Sequence, residues 1–552
     1  MNTKRAFSFV AKLLPLVAMF LFMVTGCGAS GKNLSIIKNG VTNYCIVIPE
    51  NPEDYIQDSA ISLQKKIYKE TKVSMKILSD TAVTNLKKIY IGNTSSDLSQ
   101  KVMSEVSYGS YAVGTSGEEM YAVAYTQADI KKAVNIIRDK MLEALKKDSI
   151  KIEAFEEVKD VRDELADVPV YVTEKATTVF CAGSEFYEIR IEEADTKDFA
   201  TYTATLKENG YTEHSAKKIG NAEYAVYKND KMALYVNQFD SAMRIVYSDI
   251  KTAFLPETEQ SAFEKVCDTK GYMVGVTGGT YENGLCFIYL LADGTFLIYD
   301  GGNDAPDADH LYELLHRIAG QHGINEVVIS NWMLTHAHND HCGCWEPFFS
   351  KYADKVKIER VMFNTSHSDL GTAVGDSLEE SAMNSVKNYS ADTELVRLHS
   401  GQDFWLADMK VEVLYTVEDL EPGSLEDYND ASTITRLTIN NETILMTGDS
   451  SFGVWGLMCK TYGEALKSDY LQVPHHGAHD GGTKEAYNLI QPTYLLWPCG
   501  DKLYADNLTA WNKDYGTNLH LLKMVKPENS YVAGVYDATN KTERITEFPF
   551  SK

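Results

Sequence analysis

The chain has 552 residues, 44% of them hydrophobic and 11% aromatic, which excludes a disordered or low-complexity protein and, at this length, a single small domain. Its 78 acidic against 53 basic residues give a formal charge of -25. That balance excludes attraction of the whole surface to nucleic acid or anionic lipid, although bound cations could still make one pocket attractive to phosphate.

The first residues read as an export signal. Lys4, Arg5 and Lys12 precede or open an apolar run from Leu13 to Val24, which leads into Val24-Thr25-Gly26-Cys27. The run is shorter than the roughly 20 residues of a membrane span, and no other stretch qualifies. The four residues ending at Cys27 resemble the bacterial lipobox, which implies cleavage of residues 1–27 as a signal peptide up to a lipidated Cys27. The expected location is therefore the outer face of the cytoplasmic membrane, lipid-anchored. Eight cysteines remain, at 45, 181, 267, 286, 342, 344, 459 and 499. Their wide spacing favours isolated buried thiols over a disulfide framework.

Residues 33–157 alternate strand-like and helical runs. Tyr44 to Ile48, Lys88 to Gly92 and Met120 to Tyr125 read as strands; Ser59 to Glu70 and Ile130 to Leu145 carry helical apolar spacing. The helix through Leu63-Gln64-Lys65-Lys66-Ile67 and the strand-turn Ile89-Tyr90-Ile91-Gly92-Asn93 are similar to the small α/β domain that precedes the catalytic domain of some glycoside hydrolases. A charged, proline-bearing linker from Lys159 to Val170 leads to a second unit, 171–250, with a helix near Asp198 to Asn209 and several short strands, an α+β pattern. Neither unit holds a catalytic constellation. Binding of cell-envelope carbohydrate and a spacer role both fit them.

From about Glu257 the character changes: of 13 histidines only His214 precedes this point. Phe296 to Ile298 and Tyr299-Asp300-Gly301-Gly302 form an apolar strand ending in a carboxylate. The strand Val327 to Leu334 runs into Thr335-His336-Ala337-His338-Asn339-Asp340-His341, three imidazoles and a carboxylate within six residues. Such density suits divalent metal, and two ions are needed to use every group. Two further strands end in Thr447-Gly448-Asp449 and in Pro474-His475-His476-Gly477.

The His-x-His-x-Asp-His run at a strand end resembles the metallo-β-lactamase superfamily. This implies a four-layer αβ/βα sandwich over residues 257–552, preceded by two small α/β or α+β domains, with metals at one edge between two sheets. By the resemblance, His336 and His338 belong to a first metal site and Asp340 and His341 to a second, Asp449 bridges them, and Asp300 orients the ligand loop. His475 is preferred over His476 as the last ligand, and Asp340 and Asp449 are the candidate catalytic carboxylates. The Thr-Gly-Asp and Pro-His-His-Gly forms are similar to the ComEC-type branch. Where many relatives carry a further histidine, this chain has Tyr428-Asn429-Asp430-Ala431-Ser432, so Asp430 or Asn429 would have to substitute. His479 is a candidate substrate contact, with a solvated loop as the alternative. His367 and His399 are expected at the surface, and Cys342 or Cys344 behind the ligand loop.

The resemblance implies two divalent ions, zinc or manganese, about 3.5–4 Å apart and sharing a hydroxide that attacks phosphorus or a carbonyl. A phosphodiester is the leading substrate class; an ester, lactone or β-lactam is the alternative on the same metals. A non-catalytic envelope-binding lipoprotein is the third reading. No polytopic segment accompanies the hydrolase region, so a channel function is excluded.

Overall fold

The computed structural model describes residues 33–550, less 107–109, 161–164, 183–185, 279–281, 365–375, 421–424 and 514–515 and the single positions 126, 166, 174, 176, 240, 426, 512 and 549. The signal segment with Cys27, and His367, lie outside the described residues. Among the described residues, no helix is long and apolar enough to cross a membrane.

The first unit is built on a six-stranded sheet. Its order is Glu156–Lys159, Tyr111–Ser116, Glu119–Ala124, Lys87–Ile91, Tyr44–Ile48 and Lys76–Ser79, and the last four are mutually parallel. Helices Asp54–Thr71 and Gln127–Glu143 cover one face. Their apolar residues Ile56, Ala60, Leu63 and Ile67, and Ile130, Ala133, Ile137 and Met141, recur at helical spacing and share one core. The first helix stops where Lys72 turns left-handed, at φ 60°.

The second unit is a six-stranded antiparallel sheet in the order Thr177–Ala182, Phe186–Glu192, Ala242–Asp249, Met232–Phe239, Ala222–Lys228, Thr212–Ile219. Helix Thr196–Glu208 starts at a capping box, Asp195 with Asp198, and lies on one face through Phe199, Tyr202 and Leu206. The other face is not left to solvent. Ile219, Ala222, Tyr224 and Phe239 share a core with Leu414, Tyr415, Trp455 and Tyr462 of the C-terminal unit. This unit is therefore docked on the third one and is not a detached spacer.

The third unit has two sheets. One runs Glu394–Arg397, Arg360–Phe363, Val328–Met333, Phe296–Asp300, Cys286–Leu290, Lys270–Val274, Ile545–Glu547; the other Asp403–Leu406, Met409–Tyr415, Ile434–Ile439, Glu442–Met446, Tyr470–Gln472, Tyr494–Trp497, Ser530–Val532. Their inner faces meet in one core that contains Leu297, Tyr299, Met333, Leu437, Ile444 and Leu496. The alternate residues Phe296 and Ile298 point outward, beneath helices Ala305–Gln321 and Trp345–Tyr352. Helices Phe452–Tyr462 and Lys484–Ile490 cover the second sheet through Trp455, Met458, Tyr487 and Ile490. The result is the expected αβ/βα four-layer sandwich. Strands covered on both faces explain the unbroken apolar runs that precede Asp300, Thr335 and Thr447. The cysteines at 45, 267, 286, 342, 344, 459 and 499 are free, and of these all but Cys267 are buried.

Candidate metal centre

Parallel pairing of Phe296–Asp300 with Val328–Met333, and of Glu442–Met446 with Tyr470–Gln472, brings four C-terminal strand ends to one edge of the sandwich. Ligand sites form at such ends because each strand delivers a turn there. On the first sheet, Asp300 is fully buried with φ 52°. Its carboxylate accepts hydrogen bonds at 2.7 Å from Thr335 N and at 2.7 Å from Thr335 Oγ1, and its carbonyl accepts from Trp332 Nε1 at 2.7 Å. His338 then opens the short helix Asn339–Cys342, which carries Asp340 and His341.

On the second sheet, Gln472 locks the two loops together. Its side-chain oxygen accepts from Thr447 N at 2.7 Å and its amide nitrogen donates to Gly448 O at 3.0 Å. Gly448 has φ 53°, and a Cβ there would come within 2.8 Å of Ser432 Oγ, so the close approach of these loops requires glycine. His475 and His476 are both left-handed, at φ 48° and 53°, a conformation that costs energy in non-glycine residues and concentrates at functional sites.

These loops converge. Ligand atoms of Asp340, His341, Asp449 and His476 all lie within 4.8 Å of one another. His341 Nε2 is 3.1 Å from Asp449 Oδ2, and His476 Nε2 is 3.1 Å from the same oxygen and 3.1 Å from Asp340 Oδ2. His336 stands beside His341, their ring centres 4.2 Å apart, with its Nε2 4.0 Å from Asp449 Oδ2 and 3.0 Å from His338 Nδ1. One oxygen of Asp449 thus lies within 4.0 Å of three imidazole nitrogens, those of His336, His341 and His476.

The preference for His475 is corrected by this geometry. Consecutive left-handed residues aim the two rings apart: His476 enters the cluster, while His475 places Nδ1 2.8 Å from Asp480 Oδ1 and Nε2 3.3 Å from Asn429 Nδ2. Asp430 also stays outside the cluster, because its Oδ1 accepts from Ser451 N at 3.0 Å. Asp300 stands behind the cluster, on His341. His479, on the loop after the histidine pair, is half-buried. His399, expected at the surface, is buried: it pairs with Glu418 Oε2 at 2.9 Å and stacks on Tyr235 of the second unit, with ring centres 3.9 Å apart. Cys344 is fully buried behind the ligand loop.

Several contributors have no pattern of their own in the sequence. Asn283 donates to Asp340 Oδ2. Ser432 Oγ accepts from Asp449 N at 2.9 Å and lies 3.3 Å from His336 Nδ1. Tyr428 sets its ring 5.4 Å from that of His338. The Asn-x-x-Ser spacing of 429–432 was the one available signal.

Behind the cluster, His341 Nδ1 is held by Asp300 Oδ2 at 2.7 Å and His476 Nδ1 donates to Pro498 O at 2.7 Å, which turns both Nε2 atoms inward. Burial lowers the pKa of His336 well below its ordinary value, with His341 and His338 adding to the effect. Burial also opposes charge on His476, but Asp449 and Asp340 outweigh it and push its pKa up to about 10. Burial raises and the two histidines lower the pKa of Asp449, with the net well below the carboxylate range. Asp449 Oδ1 and Asn429 Oδ1 are buried without a hydrogen-bond partner. Orphaned oxygens beside converging imidazoles and carboxylates are the donor set a divalent cation satisfies, so the residues present fit metal.

Residues 281–493 match the family model described as the metallo-beta-lactamase superfamily. The matched residues include the strands and loops that carry the cluster, so this part of the C-terminal unit is similar to that superfamily. The chain is similar over 51% of its length to the whole of YhfI, a metallo-beta-lactamase fold protein from Bacillus subtilis, at 15% identity and a TM-score of 0.30. It is similar over 52% to 55% of CmlA, a diiron beta-hydroxylase from Streptomyces venezuelae, at 12% identity and 0.30. It is also similar over 49% to 98% of unliganded yeast PDE1, at 11% identity and 0.31. No curated protein matches the sequence.

Proposed function

We propose that the protein is a dinuclear-metal phosphodiesterase of the ComEC-type branch, using zinc or manganese and held at the outer face of the cytoplasmic membrane through Cys27. The observation that carries the dinuclear reading is the position of Asp449. One of its oxygens lies 3.1 Å from His341 Nε2, 3.1 Å from His476 Nε2 and 4.0 Å from His336 Nε2, so one carboxylate is within reach of imidazoles assigned to both ions. His336, His338 and Asp449 would hold one ion; Asp340, His341, Asp449 and His476 would hold the other. Bound there, two ions would supply a nucleophilic water at neutral pH and charge to offset that developing on a phosphoryl oxygen.

The chain's own residues account for the rest. Asp300 and Pro498 O hold the Nδ1 protons of His341 and His476, so each Nε2 would be the atom left to bind an ion once the ion displaces its proton. His475, released from the cluster and oriented by Asp480, faces Asn429 across the site and is placed to hydrogen-bond a substrate oxygen. The anchor rests on the residues around Cys27, and the phosphodiester on the Thr-Gly-Asp and Pro-His-His-Gly forms. The test is a comparison of turnover on bis(p-nitrophenyl) phosphate, p-nitrophenyl acetate and a chromogenic β-lactam, with zinc or manganese added. Turnover of the phosphodiester at least tenfold above the other two supports the reading. Preferential turnover of the ester or lactam moves the substrate class to acyl transfer on the same residues.

A further inference from the structure

Arg244 is fully buried at the junction between the second and third units. It lies on the strand Ala242–Asp249 and crosses into the third unit. There its Nη1 donates to Glu418 O and its Nη2 to Asp419 Oδ1, within the single turn Val417–Asp419. The other oxygen of Asp419 is occupied too, by Ser400 Oγ at 2.6 Å and by Thr416 N at 3.1 Å. Thr416 is adjacent to Tyr415, whose hydroxyl donates to Asp430 O at 2.6 Å. Asp430 lies between Asn429, which faces His475, and Ser432, which holds Asp449 N and stands beside His336.

A second contact from the same unit arrives at the neighbouring residue. Tyr224 OH lies 2.6 Å from Tyr462 OH, and Tyr462 OH donates to Leu414 O. Residues 414–419 are thus held from the second unit directly by Arg244 and, through Tyr462, by Tyr224, and Tyr415 in turn holds the backbone of the site wall. A buried guanidinium is costly unless paired, so a fold that needed only adhesion between units would do as well with apolar residues. A guanidinium adds direction: its planar fork fixes where Asp419 and the Glu418 carbonyl sit.

We propose that Arg244 is a positioning residue for the metal centre, with the second unit acting through Asp419, Thr416 and Tyr415 to set the wall residues Asn429 and Ser432. The proposal rests on the reading of that centre as catalytic, and the test separates the two. On the detergent-solubilised full chain, hydrogen exchange is measured for peptides covering 427–433 in Arg244→Met, Arg244→Lys and Tyr415→Phe, alongside kcat and KM on bis(p-nitrophenyl) phosphate with saturating metal.

The expected result is exchange at 427–433 faster by about tenfold or more in Arg244→Met, with the inner strands unchanged, and a kcat lower by roughly 10–100-fold while KM stays within about twofold. Arg244→Lys should recover part of both. If Arg244→Met loosens the whole chain, Tyr415→Phe decides, since it breaks the last link alone and should raise exchange only at 427–433. Unchanged exchange at 427–433 in Tyr415→Phe overturns the proposal, as does its being unchanged in a folded Arg244→Met. If the wild-type chain turns over no phosphodiester, the functional reading fails, and the exchange measurement still decides the role of Arg244.

Discussion

His341 Nδ1 lies 2.7 Å from Oδ2 of Asp300, and both side chains are fully buried. The pair orients the ring of His341, because a proton held on Nδ1 by Asp300 would leave Nε2 to a metal ion bound beside Asp449 and Asp340. Asp300→Asn keeps the size of the side chain and removes its charge. Supporting carboxylates of this kind are worth roughly 10–100-fold in metal affinity. That loss is expected in a competition titration against a chelator, with circular dichroism unchanged.

The histidine pair divides its work. His476→Ala should lower bound metal by about one ion per chain, because it removes a group within 3.1 Å of both Asp340 and Asp449. His475→Ala should retain the metal and lose turnover by about 10²–10³-fold, the range for loss of one hydrogen-bond donor aimed at the reacting group. Metal analysis of the two variants side by side checks the division, and the reverse pattern would restore His475 as the ligand.

Much of this site was legible because each ligand follows an apolar strand. Phe296 to Tyr299, Val328 to Met333 and Glu442 to Met446 end in Asp300, the His-x-His-x-Asp-His run and Asp449, and parallel pairing places such ends together. The choice between His475 and His476 was not legible, since it turns on two successive left-handed residues that no side-chain pattern announces. His399 was misplaced for a related reason. Its burial comes from Tyr235, more than 150 residues earlier in the chain. The strand Ala222–Lys228 has apolar residues on both faces, Ala222 and Tyr224 on one and Ala225 and Tyr227 on the other, which implies two covered faces without saying what covers them.

Glu188 gives a pH test of the junction. Burial raises its pKa to about 8, although Arg244 opposes the shift. Its ordinary value is 4.5, so the folded chain binds this proton more tightly than the unfolded chain between pH 4.5 and about 8. Stability from this group is therefore present in full at low pH and is lost as pH rises through that window. Glu188→Gln removes the titration. The melting temperature of the wild type should fall relative to Glu188→Gln between pH 6 and pH 9; parallel curves would show that Glu188 does not titrate there.

Tyr462→Phe removes the hydroxyl shared by Tyr224 OH and Leu414 O across the junction. Leaving buried polar groups unsatisfied costs about 1–3 kcal/mol. Chemical denaturation should show that loss without a change in metal content, since neither tyrosine reaches the cluster.

If Asp449 serves two metal ions at once, the metal content of the chain depends on it twice over. The purified chain and its Asp449→Ala variant are loaded with zinc or manganese, freed of excess and analysed for metal, with phosphodiester turnover read on the same samples. A shared Asp449 should give close to two ions per chain in the wild type, loss of metal from both positions in Asp449→Ala, and turnover lower by roughly 10³-fold or more. One ion per chain, or two ions that survive the loss of Asp449, would contradict it.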